Sequence, residues 1–274
     1  NDMLFGFLIG LALSVAAWLL VEPRLAALRR ERIRRRPFPA AWRAILRERV
    51  PYARRLPADL QRQLKEHIQV FIAEKSFAGC DGLVVTDEMR VTIAAQACLL
   101  LLNRRDHYYP RLHQVLVYPG PFIVERQKTS GIGLVSDEQR VLSGESWAHG
   151  QVILSWPDVL EGAAVVDDGR NVAIHEFAHQ LDQEKGHANG APDLAGFQRY
   201  PRWSRVLGQE YEALHARLRN QEASVLDAYA ATDPAEFFAV CSEVFFEQPR
   251  RMAAGHPELY GELSRLYRID PTSW

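Results

Sequence analysis

The alternation of apolar and polar positions divides the chain into an apolar start, a basic stretch and a long amphipathic remainder. Met3–Val21 contains no charged residue, and Ser14 is its one polar side chain. As a helix this run would be about 28 Å long, close to the thickness of a bilayer's hydrocarbon core. A cleaved signal peptide fits less well, because no basic segment precedes the run and Glu22-Pro23 follows it. We therefore predict a transmembrane anchor within residues 1–22.

Residues 23–39 are predicted to form a basic juxtamembrane linker. Its arginines are Arg24, Arg29, Arg30, Arg32, Arg34, Arg35 and Arg36. The positive-inside rule places them in the cytoplasm, which predicts a single-pass protein of the inner, cytoplasmic membrane with residues 40–274 facing the cytoplasm. Beside a membrane span, such arginines are expected to face anionic lipid, so no direct nucleic-acid binding is expected.

Residues 40–274 show the periodicities of a helix-rich α+β domain with a small sheet. The run from Met89 to Leu102 is apolar nearly all round and should lie at the centre of the fold. Arg126–Asp137 is predicted as a loop, and Asp158–Gly169 as a connector. Other helices are expected at Ala40–Val50, Ala58–Phe71 and Trp203–Arg219, and strands at Gln114–Tyr118, Phe122–Glu125, Leu142–Trp147 and Gly150–Trp156.

Composition supports this division without changing it. Apolar residues make up 47% of the chain and charged residues 24%, which is typical of a folded protein. Cys80, Cys98 and Cys241 are far apart, so they indicate neither a disulfide framework nor a thiolate metal site. Buried thiols in a reducing compartment are the simplest interpretation.

The segment Asn171–Asp182 carries the strongest chemical signal. It contains His175-Glu176-x-x-His179 in a run of good helix formers, with Asn171 as a candidate N-cap. Four residues are just over one helical turn, so the two imidazoles lie side by side and can hold Zn²⁺. Glu176 is then placed to act as the general base of a zinc-dependent hydrolase. His67 and His215 have no partner at such spacing and are interpreted as structural.

A catalytic zinc needs a third protein ligand. Lys185 occupies the position where a metzincin would have its third ligand. A glutamate on a second helix is the other common solution, and the segment from Asp233 to Glu247 predicts such a helix. Glu236 and Glu243 are both candidates, and spacing does not separate them. Glu236 could instead complete a capping box with Asp233.

Two further features have two interpretations each. Asp182 could accept the second ring N–H of a ligand histidine, or it could be a solvated surface charge. Gln151–Trp156 could be the strand that pairs with an extended substrate, or it could be an ordinary sheet strand.

The segments HEFAHQLD and YAATDPAEFFAVCSEVFFEQP together closely resemble the Mlc titration factor A family of zinc peptidases. LSGESWAHGQVILSW resembles the same family's sequence before its metal helix, so the resemblance covers about residues 142–249. The pattern is more distantly similar to the catalytic domain of anthrax lethal factor. The resemblance implies a zincin-like metallopeptidase domain with His175, His179 and Glu236 as zinc ligands, Glu176 as base and Tyr229 as the active-site tyrosine.

The predicted function is therefore hydrolysis of peptide bonds in a peptide or protein substrate by a membrane-anchored zinc peptidase. The resemblance also implies an alternative, in which the chain binds and sequesters a transcriptional repressor and has little or no peptidase activity.

Overall fold

The computed structural model describes residues 18, 21–104, 108–129, 135–142, 144–147, 150–194 and 199–274, with the backbone alone at 122–129, 135–142 and 145–147. The helices are α1 (residues 21–34), α2 (Ala40–Arg49), α3 (Ala58–Glu74), α4 (Asp87–Leu99), α5 (Trp156–Ala164), α6 (Val172–Asp182), α7 (Tyr200–Arg219), α8 (Pro234–Glu247), α9 (Pro249–Gly255) and α10 (Pro257–Tyr267). The strands are β1 (Ser76–Gly79), β2 (Gln114–Tyr118), β3 (Phe122–Thr129), β4 (Val135–Leu142), β5 (Gly144–Trp147) and β6 (Gln151–Ser155). This helix-rich arrangement with a small sheet agrees with the predicted α+β class.

Within the described residues, the main sheet has four strands in the order β1-β2-β6-β5. β1, β2 and β6 are parallel, whereas β5 runs antiparallel to β6, with Gly144 opposite Leu154 and Trp147 opposite Gln151. The prediction that the Gln151–Trp156 strand pairs with substrate is therefore wrong. β6 is bonded to a neighbour on each side, so its backbone groups are already used, and β5 is the edge strand on this side of the sheet.

α4 lies at the centre of the core, as its uniform hydrophobicity predicts. Thr86 caps it by accepting a hydrogen bond from the backbone N–H of Met89. Each residue from Val91 to Leu102 is at most 3% exposed. α2, α3, α5 and α6 pack around this helix, so the candidate metal-binding residues on α6 are supported directly by the apolar core.

Two segments predicted as irregular are regular in the structure. The connector predicted at Asp158–Gly169 contains most of α5, which starts with Pro157 in its first turn and buries Val159 and Ala163. Its glycines suggested a loop, but burial of one face outweighs their low helix propensity. The loop predicted at Arg126–Asp137 contains the ends of β3 and β4, which pair in an antiparallel hairpin. The hairpin is held by backbone hydrogen bonds, which the pattern of apolar side chains does not predict.

The basic segment predicted as a linker at residues 23–39 contains most of α1, which packs against the domain. Arg30 forms two hydrogen bonds with the carboxylate of Glu74, at 2.7 and 3.0 Å, and its guanidinium lies 5.0 Å from the ring centre of Tyr108. Ile33 is 8% exposed. Of the predicted anchor Met3–Val21, only Trp18 and Val21 are among the described residues. No helix in the described part combines the length and the apolar character needed to cross a bilayer.

Candidate metal centre

The N-cap of helix α6 and the facing side chains of its two histidines agree with the sequence prediction. Asn171 caps it by accepting a 2.9 Å hydrogen bond from the N–H of Ile174. His175 and His179 lie one turn apart and meet edge-on, with ring centres 4.8 Å from each other. Their Nε2 atoms are 3.2 Å apart, so both nitrogens point at one place.

The third residue at this place is Glu236, on α8. Asp233 caps α8 by accepting hydrogen bonds from the N–H groups of Ala235 and Glu236. The Glu236 side chain does not complete a capping box. Its Oε2 lies 2.9 Å from Nε2 of His175 and 3.3 Å from Nε2 of His179.

The spacing of these three atoms fits a metal ion. A tetrahedral ion with bonds of about 2.0–2.1 Å separates its ligand atoms by about 3.3–3.4 Å. The three observed separations run from 2.9 to 3.3 Å. Within the described part of the chain, His175, His179 and Glu236 are the group of His, Cys, Asp and Glu residues with metal-ligand spacing.

Glu243, the rival ligand, has a different position. Its Oε1 lies 2.7 Å from Nδ1 of His175, and its Oε2 accepts a 2.5 Å hydrogen bond from the N–H of Asn171. A carboxylate can only accept, so Nδ1 of His175 carries the hydrogen. When the ring is neutral, as a metal ligand must be, Nε2 carries a lone pair that faces Glu236. Glu243 is therefore placed to orient the candidate ligand His175 and not to bind a metal itself.

The electrostatics of this group favour a positive charge at its centre. Burial alone lowers the pKa of His175, but the carboxylates of Glu243 and Glu236 outweigh burial and raise it well above its usual range. Burial alone raises the pKa of Glu236, but hydrogen bonds with His175 and His179 lower it strongly. Three acceptor atoms about 3 Å apart repel one another unless a proton or a metal cation lies between them.

Both predictions for Asp182 are wrong. Asp182 is 3% exposed, so it is not a solvated surface charge. It accepts hydrogen bonds of 2.7, 2.7 and 2.9 Å from the N–H groups of Asn189, Gly190 and Ala191. Its carboxylate thus holds the loop after α6. In the described residues, Nδ1 of His179 is buried and has no hydrogen-bond partner.

Glu176 lies beneath the edge strand β5 and is 5% exposed. The contact depends on Gly144, which the sequence did not single out. A Cβ at Gly144 would lie 2.7 Å from Cγ and Oε1 of Glu176 and 2.6 Å from Cγ2 of Val172. Only glycine allows the strand to approach the helix this closely. A glycine opening a strand just upstream of the metal helix was the available signal.

Tyr229 reaches the same region from the other side. It lies on a 3₁₀ turn, Ala228–Ala231, which Asp227 caps by accepting a hydrogen bond from the N–H of Tyr229. The ring centre of Tyr229 is 6.0 Å from that of His175, and the residue is 43% exposed. The phenol is therefore accessible to a molecule in front of the metal ligands.

A cleft of about 540 Å³ opens at this place, which is ample for a short stretch of peptide. Its lining includes Gly144, His175, Glu176, Tyr229 and Glu243. The edge strand β5, the candidate base and the candidate tyrosine thus share one cavity.

A buried polar network behind the cleft supports the start of α6. The side-chain amide of Asn171 donates to the carbonyl of Gly162 at 2.8 Å and to the carboxyl of Glu247 at 3.1 Å. Burial, with help from Asp168, raises the pKa of Glu247 to about 9. Glu247 is thus a neutral carboxyl near pH 7, which makes its burial tolerable. Sequence reasoning missed Glu247, which looked like an ordinary helix-terminal acid.

The two histidines interpreted as structural lie apart from the cleft. Nδ1 of His67 is 2.7 Å from the hydroxyl of Tyr108, and burial lowers the pKa of His67 to about 4. His215 packs edge-on against Tyr211, with ring centres 4.5 Å apart.

Comparison with known proteins gives one family match and several similar sequences. The model of the family described as glucose-regulated metallo-peptidase M90 matches residues 25–268, so the match begins within α1. An uncharacterized protein of Synechocystis is 41% identical over 261 residues, which covers 94% of each chain. Mlc titration factor A of Klebsiella pneumoniae is 35% identical over 81% of this chain and 84% of its own. Mlc titration factor A of Yersinia pestis is 33% identical over 85% of both.

Proposed function

Since the chain belongs to the glucose-regulated metallo-peptidase M90 family, we propose that it is a zinc-dependent peptidase that hydrolyses peptide bonds. One observation carries the proposal. His175, His179 and Glu236 converge on a metal-sized gap, with Glu176 beside it in an open cleft. Catalytic zinc peptidases use two histidines and one glutamate as zinc ligands, and they leave the fourth coordination position open for water or substrate.

Each protein group has a defined task in this reaction. The bound metal would supply Lewis acidity, polarising the scissile carbonyl and lowering the pKa of the attacking water. Glu176 accepts the proton of that water and passes it to the leaving amine. Tyr229 donates a hydrogen bond to the oxyanion that develops on the carbonyl oxygen.

Substrate alignment follows from the sheet. β5 is an edge strand, and its backbone groups on the side away from β6 are available in the described structure. A peptide in extended conformation can add to this edge by backbone hydrogen bonds, which would draw it past Gly144 and over Glu176. Because Gly144 packs directly on α6, a peptide bound along β5 would lie close to Glu176.

Glu176→Gln tests the proposed chemistry. The amide keeps the shape of the side chain but cannot accept the proton, so kcat should fall about 10²- to 10⁴-fold. Zinc content should stay at one ion per chain, because Glu176 is not a ligand. Glu222→Gln, an exposed position outside the cleft, is the matched control and should retain wild-type kcat. Equal cleavage of a fluorogenic peptide library by Glu176→Gln and wild type would refute the proposal.

The names of the relatives favour a second candidate function. Several are called Mlc titration factor A, a name that points to a regulatory protein partner. In this alternative the chain binds and sequesters a transcriptional repressor, and peptidase activity is slow or absent. A pull-down of the repressor with Glu176→Gln separates the two functions. Retained binding and retained signalling would favour sequestration, whereas loss of signalling with binding intact would favour proteolysis.

We also propose that Met3–Val21 anchors the chain in the inner membrane with residues 40–274 in the cytoplasm. The uncharged nineteen-residue run and the arginines after it support this topology. Alkaline extraction of membranes should leave the chain in the pellet, and protease added to spheroplasts should leave the domain intact. Release of the full chain by alkali would overturn the anchor.

A further inference from the structure

A second, smaller pocket lies away from the metal cleft. Its volume is about 210 Å³, and it is formed by α2, the 3₁₀ turn Pro51–Arg54 and the first half of α3. None of its lining residues lines the metal cleft. Its apolar lining comes from Leu46, Ala53 and Leu64, each of which is at most 6% exposed.

Four cationic side chains surround this apolar floor. They are Arg43, Arg47, Arg54 and Lys65, and no carboxylate is among the lining residues. In the described structure, the hydrogen bonds of these cations go to backbone carbonyls. Arg43 donates to Phe38, and Arg54 donates to the carbonyl of Arg47 at 2.5 Å.

Two other arginines of this region are paired with acids. Arg49, at the end of α2, contacts Glu88 across to α4, and Arg30 contacts Glu74 on α3. Arg43 and Arg47, by contrast, are one helical turn apart, a spacing at which like charges disfavour the helix. Positive charge is therefore concentrated around the pocket, and among the described residues no carboxylate lies within 4 Å of these four cations.

We propose that this basic pocket binds an anionic amphiphile, a molecule with a phosphate or carboxylate head and a short apolar body. The head would lie among Arg43, Arg47, Arg54 and Lys65, where guanidinium groups form paired hydrogen bonds with such anions. The apolar body would cover Leu46, Ala53 and Leu64. Such a ligand matches both the cationic rim and the apolar floor of the pocket, whereas an inorganic anion matches only the cationic rim.

Two sources could supply such a ligand, a soluble phosphate ester or the headgroup region of an anionic phospholipid. Hexyl phosphate, inorganic phosphate and micelles of a neutral detergent with or without phosphatidylglycerol are suitable probes. Binding is measured on the full chain in neutral detergent by titration calorimetry and by the shift in melting temperature.

The double variant Arg43→Gln/Arg47→Gln tests the site. Hexyl phosphate should bind wild type at least tenfold more tightly than inorganic phosphate, and the double variant should weaken this binding at least tenfold. Arg62→Gln/Arg250→Gln removes the same charge at exposed positions outside the pocket, and it should change binding by less than twofold. Both variants alter only surface side chains, and their melting curves without ligand verify folding.

Each result has a defined meaning. Preference for hexyl phosphate or for phosphatidylglycerol micelles, lost only in Arg43→Gln/Arg47→Gln, supports the site and identifies a soluble or a lipid source respectively. Absence of binding to any probe overturns the proposal. Equal losses in the two double variants also overturn it, because they would show general attraction between charges. Binding that Arg43→Gln/Arg47→Gln leaves unchanged places the anion elsewhere, for example at the metal centre, and overturns the proposal as well.

Discussion

A single methyl group at Gly144 should separate catalysis from metal binding. In Gly144→Ala the new Cβ would lie 2.7 Å from Cγ and Oε1 of Glu176 and 2.6 Å from Cγ2 of Val172. An ordinary contact begins near 3.4 Å, so β5, α6 or these two side chains must shift by 0.7–0.8 Å at this point. The clash falls on the candidate base and not on His175, His179 or Glu236.

The size of the effect follows from that displacement. A shift approaching 1 Å in a catalytic group can cost on the order of 10²-fold in rate, so we expect kcat to fall roughly 10- to 100-fold. Overpacking should also lower the free energy of unfolding by about 1–3 kcal/mol. Zinc affinity should stay within about twofold of wild type, because the clash does not fall on the three candidate ligands. A twofold change corresponds to about 0.4 kcal/mol of binding free energy.

The assay combines three measurements on one preparation: kcat with a fluorogenic peptide, zinc affinity by chelator competition, and the free energy of unfolding by urea titration. Gly208→Ala in α7 is the matched control. A Cβ there meets nothing within 4 Å, so this variant should gain up to about 1 kcal/mol of stability and keep its kcat. A Gly144→Ala protein with wild-type kcat would refute the packing of β5 on Glu176. Parallel loss of zinc would show that the whole site is disturbed.

Three further outcomes are expected. Glu243→Gln should weaken zinc binding about 10- to 100-fold, because it removes an acceptor that orients a ligand; a far larger loss, as expected for Glu236→Gln, would make Glu243 a ligand instead. Burial lowers the pKa of His67 from 6.5 to about 4, so unfolding takes up a proton as the pH falls through this range. Neutral His67 contributes its full stability above pH 6.5, and the free energy of unfolding should fall by about 3 kcal/mol between pH 6.5 and pH 4. In urea titrations of the metal-free protein, His67→Gln should not show this fall. Asp182→Asn should lower the free energy of unfolding by about 1–3 kcal/mol, because the amide cannot accept three backbone hydrogen bonds; an unchanged urea midpoint would refute its role in holding the loop.

The local chemistry of the site was readable from the sequence. Four-residue spacing places His175 and His179 on one helical face whatever surrounds them. Asn171 and Asp233 cap their helices as predicted, because a capping side chain bonds to backbone only two or three residues away. The uniform hydrophobicity of Met89–Leu102 likewise predicted the central helix, since such a segment is stable only when neighbours cover all its sides.

The choice between Glu236 and Glu243 required the packing of α8 against α6. The two glutamates are seven residues apart and share one helical face, so periodicity treats them alike. In the structure, one reaches Nε2 of His175 and the other reaches Nδ1. A metal ligand and a residue that orients His175 differ in which ring nitrogen they approach. Which nitrogen each glutamate reaches depends on the axial position of α8 relative to α6.

Strand order and the role of Asp182 were decided in the same way. Apolar alternation shows that Gln151–Ser155 is a strand, but only pairing shows that β6 lies inside the sheet and β5 at its edge. Asp182 lies on the face of the histidines, yet its carboxylate is used by Asn189, Gly190 and Ala191. The sequence by itself determined which faces and which chemical groups α6 presents, because helical periodicity is local. The tertiary structure alone decided which partner meets each group, because those partners are brought close by packing between elements distant in the chain.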